Sequence, residues 1–211
     1  MDLLNTIGRQ LQHPKGLFGK ALFTWMTKTT IAHGHWTLDL MDVQPDDHIL
    51  EVGFGNGSNI SLLVQRASKG YVAGAEISET AIEMASKRNA KAIAEGRVKL
   101  HLAAGGALPL DDGTFDKACT IATIYVIADP GAVFREMHRV LKPGGLAAVT
   151  FPVRETFMRF KPTRAAGFYF HELANLEAAF RDAGFVETRT ERNEAVRFGA
   201  QCMLGRKPAS N

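Results

Sequence analysis

The sequence predicts an α/β domain built on a mostly parallel sheet, and three observations predict it. The apolar run Ile49–Val52 reads as a buried strand and breaks into Gly53, Gly55 and Gly57. Ile60, Leu63, Val64 and Ala67 then recur at helical spacing, so the chain goes strand, glycine turn, helix. From there on, short apolar runs alternate with amphipathic stretches, with capping and breaking residues at their joints.

The elements follow in order. Residues 1–45 precede the first strand and form a separate helical segment. Residues 17–26 are apolar and helix-like, His33-Gly34-His35 breaks that helix, and residues 36–41 make a second short one. The sheet does not need this segment. It reads as a lid over the glycine turn, with flank padding or a surface-bound amphipathic helix (Lys15, Lys20 and Lys28 near Phe18, Phe23 and Trp25) as the competing readings. Residues 46–211 form the core. Its second strand, from Tyr71, ends at Glu76, and Ser78 caps the next helix, with Ala81, Ile82, Met84 and Ala85 inward. Val98, Leu100 and Leu102 alternate as a third strand, and Gly105-Gly106 makes a loop. The fourth strand opens at Phe115 and runs through Ile121 to Ile124. Asp129-Pro130 starts a helix, since Asp caps and Pro tolerates the first turn. Pro143-Gly144-Gly145 ends it and turns into a fifth strand, 146–151. Residues 152–170 are irregular and aromatic, with Arg154, Arg159, Lys161 and Arg164 interleaved, and can form a substrate wall. A helix over 171–183 stops at Gly184, and two strands, about 185–192 and 195–206, finish the chain.

The chain has 211 residues, enough for one full core. At 45% hydrophobic and 22% charged it has ordinary globular composition. A net charge of +3 falls short of the clustered basic footprint of a nucleic-acid binder. Cys119 and Cys202 sit in apolar runs and read as small buried hydrophobes. The scattered histidines have no metal-ligand spacing, so no metal is expected. No apolar run is long enough to span a membrane and no signal pattern opens the chain, so a soluble cytoplasmic protein is expected.

The glycine turn reads as a cofactor cradle at the carboxyl edge of the sheet. Glycines let a ligand approach the backbone, and the helix N-terminus offers unpaired N–H groups. The spacing is Gly-x-Gly-x-Gly, whereas a dinucleotide fingerprint wants glycine where Ser58 stands. Glu51, two residues before the first glycine, repels a pyrophosphate and favours an ammonium or sulfonium. Glu76, nineteen residues after Gly57, is placed to take two ribose hydroxyls.

With these residues, the chain resembles the class I S-adenosylmethionine-dependent methyltransferases. It is most similar to their small-molecule branch, typified by the quinone-biosynthesis enzymes. The resemblance covers about residues 46–207 and rests on ILEVGFGNG (49–57), VAGAEIS (72–78), LPLDDGTFD (108–116), EMHRVLKPGGLAAVTF (136–151) and AFRDAGF (179–185), in family order. It implies a Rossmann-like three-layer α-β-α sandwich with a seven-stranded, mostly parallel sheet and an antiparallel last strand. It implies S-adenosyl-L-methionine as cofactor and S-adenosyl-L-homocysteine as product. It places Gly53, Phe54, Gly55 and Asn56 along the methionine part, Glu51 near the amino group, and Glu76 on the ribose. It places Ile77 on the adenine face and Ile121 at the cofactor edge. Many relatives carry an Asp for the adenine amino group where this chain has Ala104. Backbone groups around Ala104 and Gly105, or some other group, are then left to hold the adenine.

The reaction implied is methyl transfer to a small, partly apolar metabolite, with the cofactor supplying the hard chemistry. A catalytic base is not obligatory; candidates are His33, His35, His171 and Tyr125, while His138 lies away from the carboxyl edge. Three alternatives stay open: a phospholipid headgroup N-methyltransferase at a membrane surface, a nicotinamide-dependent oxidoreductase, and a non-catalytic module that keeps the cradle. The acceptor and the oligomeric state are not legible.

Overall fold

The computed structural model describes residues 31–159 and 167–210. Helix α1 covers residues 31–41. There follow β1 (His48–Val52), α2 (Ser58–Arg66), β2 (Tyr71–Glu76), α3 (Glu79–Arg88), α4 (Ala90–Ala94) and β3 (Val98–Leu102). The second half holds β4 (Phe115–Ile121), a 3₁₀ turn (Ile124–Val126), α5 (Pro130–Val140), β5 (Leu141–Pro152), α6 (Arg154–Met158), α7 (Leu173–Asp182), β6 (Val186–Asn193) and β7 (Ala200–Arg206). The strands form one seven-stranded sheet in the order β3-β2-β1-β4-β5-β7-β6. β7 runs antiparallel to both its neighbours, and the other pairings are parallel.

This order creates the site. The chain winds outward from β1 to β3, then returns to lay β4 on the other side of β1. Loops after β1 and β4 therefore leave the sheet in opposite directions, and the crevice at their carboxyl ends is where open α/β sheets take ligands. Each face of the sheet is covered. Leu50, Val52, Ala118 and Met203 pack with Phe134, Met137 and Phe180 on the α5–α7 side. Ile49, Cys119, Ala148 and Leu204 pack with Leu38, Met41, Ile60 and Leu63 on the α1–α2 side. Both predicted caps form: the Ala81 and Ala132 amides donate to the side chains of Ser78 and Asp129 at 3.3 and 3.2 Å.

Three local expectations are corrected. His33-Gly34-His35 does not break a helix, because all three lie within α1. Gly34 is there for closeness: a Cβ at this position would stand 2.3 Å from Asn59 Oδ1 on α2. Pro143-Gly144-Gly145 does not precede β5 but forms an irregularity inside it. Gly144, at φ 79°, adopts the left-handed conformation that lets Leu141 and Leu146 both pair with β4. β4 stops at Ile121 rather than Ile124, because Ala122 turns to φ 55° and a 3₁₀ turn follows.

Residues 31–41 pad the sheet flank, with Leu38 and Met41 buried. Thr37 donates to the Thr150 hydroxyl at 2.7 Å, and Arg66 pairs with Asp39 at 2.6 Å. The remainder of the expected lid, with its lysines, Phe18, Phe23 and Trp25, lies outside the described residues.

Gly34→Ala is expected to lower Tm, although alanine is the better helix former by about 1 kcal/mol. The overlap with Asn59 should outweigh that gain by roughly 1–2 kcal/mol. In an Asn59→Ala background the same substitution should be neutral or stabilising, which a double-mutant cycle by thermal denaturation reads directly.

Candidate functional site

The glycine turn joins β1 to α2, and Gly53, Gly55 and Gly57 all take left-handed φ values of 74°, 55° and 75°. Gly53 also lacks room for a side chain, since a Cβ would lie 2.2 Å from Thr123 Cγ2. That closeness is used: the Thr123 hydroxyl donates to the Gly53 carbonyl at 2.9 Å, tying the loop after β4 to the turn after β1. Phe54 turns its ring inward, buried, and the ring occupies the space a Cβ on Gly74 would fill. At the surface of the turn Phe54 thus offers backbone, flanked by half-exposed Gly53 and Gly55. Asn56 is buried, and its Oδ1 accepts from the Ser58 amide and hydroxyl at 3.2 and 2.8 Å, which fixes the start of α2.

Two carboxylates meet this turn. Glu51 pairs in register with Gly74, and Glu76 lies two residues further along β2, so both stand on one face of the sheet. Glu76 is bound into the turn: Oε2 accepts from the Gly55 amide at 3.1 Å, and Oε1 accepts from the Ile77 and Ser78 amides at 2.9 and 3.0 Å. Oε2 keeps an open lone pair for a hydroxyl. Glu51 is wholly buried. Asn59 Nδ2 donates to its Oε1 at 2.9 Å, and Oε2 has no partner among the described residues. Burial pushes the Glu51 carboxyl up to about 8, aided by the nearby Glu76 charge and opposed by the Asn59 hydrogen bond. A buried carboxyl oxygen without a donor, beside half-exposed glycines, is the complement of an ammonium group. The donor set therefore fits the amino-acid end of a sulfonium cofactor.

The neighbouring edge is open and apolar. Ile77 is 62% exposed and Leu102 56%, although large aliphatic side chains are normally covered. They adjoin, since Leu102 pairs with Glu76 in register and the Ala103 amide donates to the Glu76 carbonyl at 3.0 Å. Ala104 is exposed at the start of the following loop. Such a slot can take a flat ring. The loop is held from α5 by a pair that sequence reasoning missed. Glu136 accepts from the Leu108 amide at 2.7 Å, and Arg139 donates to the Leu108 and Leu110 carbonyls at 3.1 and 2.8 Å. The two are joined to each other by a two-pronged ion pair of 2.7 and 2.8 Å. Both residues stand in a motif that the sequence reading quoted, but their partners lie some thirty residues upstream and only the fold brings them together.

The candidate bases separate. His35 is exposed on the outer side of α1. His33 is buried, bonds the Arg197 carbonyl at 3.0 Å, and is lowered by burial, so the imidazole is neutral. Tyr125 and His171 instead line one cavity of about 410 Å³ at the carboxyl ends of β4 and β5. Burial raises the Tyr125 phenol, and His171 Nε2 bonds the Ile127 carbonyl at 2.8 Å. Ile121 is buried at the end of β4, two residues before Thr123. The structure thus brings Glu51, Gly53, Gly55, Glu76, Ile77 and Ile121 to one edge and separates His33 and His35 from Tyr125 and His171. Phe160, Lys161 and Arg164 of the aromatic stretch lie outside the described residues.

Comparison with known proteins agrees with this geometry. A family model described as a methyltransferase domain matches residues 50–149. The uncharacterized methyltransferase YdaC of Bacillus subtilis is 26% identical over 175 residues, covering 83% of this chain and 91% of that one. The demethylmenaquinone methyltransferase of Symbiobacterium thermophilum is 30% identical over 179 residues, covering 69% of this chain and 70% of its own. A solved SAM dependent methyltransferase from Aquifex aeolicus shares the fold with a TM-score of 0.69 at 18% identity, covering 98% of each chain. Fold, turn and relatives define an S-adenosylmethionine-dependent methyltransferase. Within that class the chain belongs to the methyltransferase-domain family of the small-molecule branch.

Two outcomes are expected. Glu51 is protonated in the folded protein up to about pH 8 and ionises near 4.5 when unfolded, so the folded state holds the extra proton between these values. Stability should fall as pH rises through that window, by at most about 1.4 kcal/mol per pH unit, and level off above it. Glu51→Gln should remove that part of the slope in urea titrations at pH 5, 6, 7 and 8. Separately, Arg139→Gln should speed hydrogen exchange at the Leu108 amide while leaving amides of β1 protected.

Proposed function

We propose that the protein transfers a methyl group from S-adenosylmethionine to a small, partly apolar metabolite by in-line displacement. The observation that carries the reading is the buried Glu51 carboxyl with one oxygen unpartnered beside the glycine turn. Glu51 Oε2 receives the ammonium of the cofactor's methionine part, with Asn59 holding the other oxygen in place. The half-exposed backbone of Gly53 and Gly55, with buried Phe54 between them, lies along that part, and buried Asn56 keeps the turn in shape. Glu76 Oε2 takes a ribose hydroxyl from a position already fixed by the Gly55 amide. Ile77 covers one face of the adenine, and backbone groups of Ala104 and Gly105 meet its edge. Ile121 closes the floor between cofactor and acceptor. When bound, the cofactor supplies a methyl group already activated by a positive sulfur.

The protein's share is then alignment and exclusion of water. The Thr123–Gly53 bond sets the spacing between the cradle and the wall where the acceptor sits. An amine that arrives deprotonated needs no base; for a hydroxyl, Tyr125 and His171 are the polar groups on the acceptor side. A small-molecule acceptor suits a cavity of about 410 Å³, within the usual range for metabolite sites. Among the described residues no helix is long and apolar enough to cross a membrane.

Calorimetry with S-adenosylhomocysteine and its analogue lacking the amino group tests this reading. The wild type should bind the parent at least tenfold more tightly, and Glu51→Gln should bring the two within about threefold. No binding of either compound, or equal binding of both by the wild type, would refute the reading.

A further inference from the structure

The cavity beyond Thr123 has its own chemistry. It is formed where β4 and β5 end, by the 3₁₀ turn, by α6 and by the segment leading into α7. Tyr125 lies two residues past Thr123, at most about 7 Å along an extended chain. The cavity therefore begins, at Ile124 and Tyr125, directly after the residue that bonds the glycine turn. Its walls are aromatic: Tyr125 and Phe157 stand 5.0 Å apart at 50°, and Tyr169 and Phe170 complete the rim. Phe168 backs this wall, with its ring 4.9 Å from Tyr125 and parallel to Phe157 at 5.9 Å. Tyr169 is 46% exposed and stacks on His171 at 6.1 Å. Of these rings Tyr169 is the exposed one, while Tyr125 is buried and Phe157 and Phe170 are half-buried, so the wall offers ring edges and partial faces to whatever enters.

The charged groups in the same cavity are of both signs, and Arg159 and exposed Glu155 balance once the ion pairs are counted. Arg154, Arg159 and Arg192 line it against Glu155 and Glu172. Glu172 is taken up by Arg154, and Arg192 is paired outside the lining with Glu194. Arg154 still has a buried Nε with no hydrogen-bond partner among the described residues. Arg159, exposed on the rim, makes no ion pair among the described residues. A buried guanidinium N–H left without an acceptor costs free energy until one arrives, and a planar anion supplies it with matched geometry.

We propose that the methyl acceptor is a flat aromatic molecule bearing an anionic group, its ring between Tyr125, Phe157 and Tyr169 and its anion at Arg154 Nε and Arg159. This rests on the cofactor reading above and narrows it to a substrate class. A cationic amine brings no acceptor for Arg154 Nε. A long aliphatic chain would leave the exposed face of Tyr169 without a flat neighbour.

The test uses the full-length protein in two stages. S-adenosylhomocysteine is first titrated alone; failure to bind removes the cofactor reading and this inference with it. The saturated protein is then titrated with 2-naphthoate, the neutral 2-naphthamide, decanoate and 2-naphthylmethylamine. Naphthoate should bind at least tenfold more tightly than the other three. Arg159→Gln, an exposed position that puts folding at no risk, should reduce the naphthoate-to-naphthamide ratio to about twofold. Equal binding of naphthoate and naphthamide, a ratio unchanged in Arg159→Gln, or no binding of any probe at millimolar concentration would overturn the inference while leaving the cofactor reading standing.

Discussion

Everything at this site depends on one buried carboxyl group. Glu51 lies next to the end of β1 with no exposure, one oxygen held by Asn59 and the other without a partner among the described residues. Burying an unpaired carboxylate is expensive, and the protein meets that cost by keeping the group protonated up to about pH 8. A ligand cation at Oε2 does what the proton does. The site is in this sense built around an acceptor that a positive group can satisfy.

The surrounding structure can be traced outward from that residue. Asn59 is fixed from behind by α1, whose Gly34 comes close enough to forbid a side chain. On the other side the glycine turn is tied to β2 through Gly55 and Glu76, and to β4 through Gly53 and Thr123. Three elements thus converge on a few backbone groups. The reversal of strand order between β1 and β4 leaves space above them. Further out, Glu136 and Arg139 hold the loop after β3 from α5, so the exposed Ile77–Leu102 edge is flanked by a loop anchored in another layer of the sandwich.

Much of this was legible in the residues. The strand, the glycines and the following helix have a local signature, as do the caps at Ser78 and Asp129, because each depends on neighbours in sequence. The positions of Glu51 and Glu76 were legible for a similar reason: a charged residue at the end of an apolar run has little choice of where to stand. What could not be read depends on contacts between distant segments. Gly34 looked like a helix breaker, and only the proximity of Asn59 explains a glycine inside α1. Phe54 looked available to a ligand, yet its ring fills the space left by Gly74 on the neighbouring strand. The irregularity in β5 and the early end of β4 follow from single left-handed residues, Gly144 and Ala122. The four candidate bases could not be ranked from sequence, and the fold separates them by burying His33, exposing His35 and lining one cavity with Tyr125 and His171.

The central claim is electrostatic, and the carboxyl carbon of Glu51 reports on it directly. Its carbon-13 chemical shift, measured at pH 6.5 with and without saturating S-adenosylhomocysteine, distinguishes the protonated from the ionised group. The account predicts a protonated Glu51 in the free protein that becomes ionised when the compound binds. A shift that stays at the protonated value in the complex, or one already ionised without it, would contradict the account.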